Sequence, residues 1–230
     1  MSSLAAMADP EQLYVLHALR LRGPASETEI AQRFSLDPSR LDLILGELEN
    51  IGHARLYEGR LAGWMLTTTG RVEGERLLAE QLAHTKTTEL VSECYQRFLL
   101  LNPDLLSICT DFQVRLVAAT EVVNDHLDPV WDSLVLARLA DLHQQAVPLA
   151  DQLAMGLGRF EGYSSRLRHA FERIEQGKTE WLTGPRIDSY HTVWFELHED
   201  FLATLGRRRS DERVEYVSDE DASAQTEEQS

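Results

Sequence analysis

The chain has 230 residues, 43 % of them hydrophobic, and a formal net charge of −16, enough length for one large or two small domains with a proper core. The charge is uneven: residues 1–86 carry a net of −3, residues 87–209 a net of −6 and residues 210–230 a net of −7. The acidic total therefore does not exclude a nucleic-acid partner for the first segment.

Cys94 and Cys109 form neither a CxxC motif nor a disulfide framework. The start "MSSLAAMADP" lacks the pattern of a signal peptide, and no uncharged apolar run approaches the ~18 residues of a membrane span. The expectation is a soluble, cytoplasmic protein without a membrane role.

Asp9-Pro10 predicts a helix start, an N-cap followed by proline. Leu13, Leu16 and Leu19 share one face, and Gly23-Pro24 ends the helix. "SETEIAQRF" predicts a short second helix, with Ser26 and Glu29 as a capping box. Asp37 and Pro38 open a third, whose Leu41, Ile44, Leu45, Leu48 and Ile51 follow the 3.6-residue period until Gly52. "HARLYEGRLAGWMLT" then reads as a β-hairpin turning at Glu58-Gly59-Arg60, and helix returns at Thr69-Gly70.

Three helices and a hairpin in this order make a winged helix-turn-helix. "LTTTGR" after the hairpin and "LGELENIGHARL" before it resemble the wing exit and wing entry of MarR-type bacterial regulators, over about residues 10–80. The wing tip, "EGR", is shorter than in that family. The resemblance implies a DNA-reading third helix, with Ser39, Arg40 and Leu43 facing outward and its N-terminus near phosphate. Arg33, Arg55, Arg60 and Arg71 are the supporting cations. Of the acids on this helix, Asp37 is used as a cap and Glu47 and Glu49 lie past the expected groove contact, so Asp42 is the repulsive one.

From Lys86 onward the expectation is an all-α domain. One helix stops at Asn102-Pro103, a second covers "PDLLSICTDFQVRLVAATEVV", a third opens at Asp128-Pro129, and others cover "YSSRLRHAFERIEQG" and "DSYHTVWFELHEDFLATLG". The fold class is thus mostly α, with 1–8 disordered, 9–83 a winged helix domain, 84–209 a helical dimerisation and effector domain, and 210–230 a disordered acidic tail.

Tyr190, Trp194, Leu197, Phe201 and Leu205 repeat at helical steps, first of all a core or dimer stripe. The alternative is a small-molecule pocket built from Trp181, Tyr190, His191 and Trp194, with Arg186 for an acidic ligand. His191 and His198 with Asp188 or Glu196 lack metal-site spacing, so no metal and no cofactor is expected. In "GLGRFEG" the glycines break a helix or let two helices approach. No nucleophile or nucleotide motif supports an enzyme.

The reading is a homodimeric DNA-binding regulator that senses a small molecule. The rival is a winged helix that docks a protein and binds no DNA. A weaker idea makes Cys94 or Cys109 an oxidant sensor, against inert packing.

Overall fold

A computed structural model describes residues 9–59, 62–117, 120–210 and 212. Helix α1 (Pro10–Arg22) starts where Asp9 accepts the Glu11 amide, and α2 (Glu27–Phe34) carries the full Ser26–Glu29 capping box. Helix α3 (Pro38–Asn50) starts on the Asp37 side chain, which accepts from the Arg40 amide. It ends at Gly52, whose φ of 77° a side chain would oppose. Strands β1 (Ala54–Tyr57) and β2 (Gly63–Leu66) then pair antiparallel, Ala54 opposite Leu66 and Tyr57 opposite Gly63.

The "TTTG" segment explains how the hairpin is fixed to the helices. Thr67 and Thr69 hydroxyls both donate to the Gly52 carbonyl, at 2.7 and 2.8 Å. Thr67 also caps α4 (Thr68–Thr85) by accepting the Gly70 amide. Gly70 lies so close to His53 that a Cβ would fall 1.9 Å from its carbonyl oxygen. On the other side, Trp64 and Ala25 exchange backbone hydrogen bonds of 3.0 and 2.8 Å, which ties β2 to the link between α1 and α2.

The second half differs from expectation in two places. Helix α5 (Thr88–Gln113) runs unbroken through Pro103 instead of stopping there. A proline inside a helix costs about 3 kcal/mol. Phe98, Leu101, Leu105 and Ile108 are buried around it, each contributing about 1.5–3 kcal/mol, so packing wins over local propensity. The second departure is strand: β3 (Val114–Val117) and β4 (Thr120–Val123) form an antiparallel hairpin within the segment expected to be helix. Their β-branched residues favour extended backbone, so the second half is not all-α.

Helix α6 (Pro129–Gly156) opens on Asp128 as predicted and passes through Pro148. Gly156 allows its end to meet α5, since a Cβ there would fall 2.2 Å from Leu90 Cδ2. A 3₁₀ turn (Gly158–Phe160), α7 (Tyr163–Glu175), α8 (Glu180–Thr183) and α9 (Tyr190–Leu205) complete the body. Of the 210–230 segment only Ser210 and Glu212 are described; Glu212 accepts from Tyr95 Oη and lies 2.6 Å from His198 Nε2. The expected disorder of 1–8 and of the remaining tail lies outside the described residues.

The described residues form two apolar cores, one under α1–α4 and the hairpin, the other among α5–α9. They are not independent: Leu82 of α4 packs in the second and Ala203 of α9 in the first. Among the described residues no helix is long and apolar enough to cross a membrane.

Candidate functional site

The exposed face of α3 carries Ser39, Asp42 and Leu43, the last 61 % exposed. Arg40 stands beside them but is already engaged: its guanidinium bonds Asp9 and also Glu11, at 2.8 Å to the latter, with 42 % of the side chain exposed. Arg55 is exposed on β1 opposite Met65. Arg71 is exposed on α4 and lines a cleft of about 630 Å³ with Arg20, Glu75 and Arg208. Arg60 lies outside the described residues.

Arg33 corrects the sequence reading. It does not point outward from α2 but into the junction between the N-terminal half and the body, with 2 % of its side chain exposed. Its Nε donates to Glu196 Oε1 of α9 at 2.5 Å. The rings of Phe34 and Tyr163 lie on it at 4.6 and 4.5 Å.

Arg33 belongs to a buried ionic network that sequence reasoning missed. At its centre is Asp200, fully buried, which accepts from Arg159 and from Tyr163 Oη at 2.9 Å and lies 3.0 Å from His17 Nε2. Arg159, only 1 % exposed, also donates to Thr204 and, at 2.9 Å, to Gln81 of α4. Glu196 joins Arg33 to Arg166, whose Nη2 is 2.7 Å away, and Arg166 holds Asp188 at 2.8 Å. Thus α1, α2 and α4 are tied to the 3₁₀ turn, α7 and α9 through buried ion pairs and hydrogen bonds.

The protonation states follow from competing effects. Burial pushes the Asp200 and Glu196 carboxyls up, but Arg159 and His17 around the first, and Arg166 and Arg33 around the second, overcome it. Asp200 is held well below the usual range and Glu196 is drawn down to about 2. His17 is also lowered, but here burial wins: it lowers the pKa more than Asp200 raises it.

The alternative ligand pocket is not assembled. Trp194 and Tyr190 are core residues: the first stacks on Phe98 at 4.4 Å and donates to Asn102, the second meets His143. Trp181 packs edge-on against His169. Arg186 is exposed. His191 lines a surface cavity with Cys109, Thr192 and Phe195. The stripe reading of α9 is the one the packing bears out.

Asp188 and Glu196, the carboxylates considered beside His191 and His198, are held by arginines. Burial raises both thiols, Cys109 to about 12, which disfavours the reactive thiolate.

Compared with known protein families, with curated proteins and with solved structures, the chain matches none.

Two predictions follow from the network. Asp200→Asn leaves Arg159 buried without its counter-charge, and calorimetry should show a loss of about 3–5 kcal/mol, lowering Tm by about 2–4 °C per kcal/mol. Stability should also fall with acidity in two stages. His17 takes a proton less readily when folded than when unfolded, so stability declines as pH drops below about 6.5, with His143 and His191 acting in the same direction. The contribution of Glu196 is complete above about 4.5 and is lost as pH falls towards 2. In thermal melts across pH, His17→Asn should flatten the upper stage.

Proposed function

We propose that residues 9–85 form a winged helix-turn-helix head that docks on duplex DNA, and that the chain is a transcription regulator whose body pairs two copies. The observation that carries this reading is the exposed start of α3 followed at once by a hairpin pinned to the end of the same helix by Thr67 and Thr69. Pro38 has no N–H and Asp37 takes the Arg40 amide, so the Ser39 N–H and the partial positive charge of the helix start remain for phosphate, and Arg55 extends the face from β1.

The charge on this face is low, and that sets the mechanism. Arg40 is bound to Asp9 and Glu11 at the surface, where ion pairs are weakly held in water. A phosphate or a guanine edge competes for the same guanidinium. The two acids therefore tune affinity downward, and a pair of heads recovers it: two half-sites about one helical turn apart double the phosphate contacts. The second copy is assigned to the side of the body where Leu116, Val123, Leu127, Val130 and Leu134 are exposed.

A second reading rests on the same face. Leu43, Ile51, Leu56 and Tyr57 are exposed among Asp42, Glu47, Glu49 and Glu58, a surface suited to a basic protein partner. The two readings part in one experiment, selection of bound duplexes from a random-sequence pool followed by affinity measurement at several salt concentrations. For the regulator, Arg55→Ala should weaken binding about tenfold and reduce the salt slope by about one. The double change Asp9→Asn with Glu11→Gln should strengthen it. No duplex retained at low salt, by wild type or by the double variant, assigns the face to a protein.

A further inference from the structure

Beside the buried network, between α1, α2 and the start of α7, lies an open cleft of about 560 Å³. Arg22, Arg33 and Arg166 line it, together with Ser35, Gly162 and Ser165. Three separate observations give this cleft an appetite for negative charge.

The first is Arg33. It is buried and clamped between two rings, yet its Nη2 has no hydrogen-bond partner. Asp200 Oδ2 is 3.8 Å away, beyond hydrogen-bond range. Buried guanidinium donors are normally satisfied, and an exception calls for an explanation.

The second is the start of α7. Gly162 occupies the N-cap with φ 91°, and no side chain accepts from the first turn of this 13-residue helix. Its leading N–H groups are orphan donors beside the arginines. The third is Arg22, which approaches Asp188 only at 3.5 Å and keeps 33 % of its side chain exposed. It is placed to turn to a ligand. Arg22, Arg33, Arg159 and Arg166 face Asp188, Glu196 and Asp200, and Glu161, exposed at the rim of the cleft, balances the fourth arginine.

We propose that this cleft binds a small organic anion by a carboxylate or phosphate group, held by Arg22, by Arg33 and by the N-terminus of α7. Tyr14 and Phe34, stacked at 5.0 Å, stand on the same cleft and receive a planar or apolar portion of the ligand. Tyr14, Arg22 and Arg33 belong to the N-terminal half, Gly162 and Arg166 to the body. Affinity therefore depends on how the two halves are set, and the ligand favours whichever setting closes the cleft. Only this last consequence rests on the regulator reading; occupation of the cleft does not.

The test uses the full chain with inorganic phosphate and, separately, benzoate, against chloride at equal ionic strength. Above its Kd, at least one probe should raise Tm by about 3–6 °C for each tenfold increase in concentration. Arg22→Gln should weaken that probe about tenfold by titration calorimetry. Arg168→Gln, which disturbs an exposed pair with Asp151 on α7, should bind like wild type. Equal melting in chloride and both probes, or undiminished binding by Arg22→Gln, overturns the proposal. A probe that binds a chain retaining no duplex DNA upholds the cleft and overturns the regulator reading instead.

Discussion

A carboxylate removed from water survives as an anion only where cations and donors replace its lost hydration. Asp200 is fully buried, and its replacements come from across the chain: Arg159 from the 3₁₀ turn, Tyr163 from α7 and His17 from α1. Arg159 and Tyr163 belong to the body itself, while His17 at Asp200, Arg33 at Glu196 and Gln81 at Arg159 bring the N-terminal half onto the same network. Apolar contact joins the halves as well, since Leu82 and Ala203 cross between the cores. The ionic network adds contacts with fixed directions.

This seating links the two functional proposals. The α3 face depends on Asp9, Glu11 and the Thr67–Thr69 hook, all within the first 85 residues. The anion cleft depends on groups from both halves, and Arg33 serves the cleft and the network together. A ligand in the cleft lies beside Arg33, which is bonded to Glu196, so it bears on the network with no need for a long path. Its effect on α3 is limited to the difference in its affinity for the two settings of the halves.

Local features were legible in the sequence because they are encoded locally. The Asp9, Ser26 and Asp37 caps, the stop at Gly52, the hairpin and the start of α6 are each set by a few neighbouring residues. Pro103 misled for the same reason, since burial of residues distant in sequence outweighs its local cost. The segment "VRLVAATEVV" continues the apolar run of the preceding helix, and only its β-branched residues mark the change to strand. The site suffered most. Arg33 looks like any surface arginine until Glu196, more than 160 positions later, is placed beside it. A usable signal did exist: His17 lies among the apolar positions of α1, and Asp200 and Thr204 interrupt the stripe of α9 one turn apart. Polar groups on a core-facing surface require partners, and asking for them leads to Arg159 in "GLGRFEG".

The central claim is that buried charge makes the two halves one cooperative unit. Native-state hydrogen exchange followed by mass spectrometry tests it directly, comparing slow amides in α1 and α3 with those in α5 and α9. The account predicts one shared opening free energy in the wild-type chain, and separate, earlier opening of α1 and α3 in Asp200→Asn. Distinct opening energies for the two halves in the wild type, unchanged by that substitution, would contradict it.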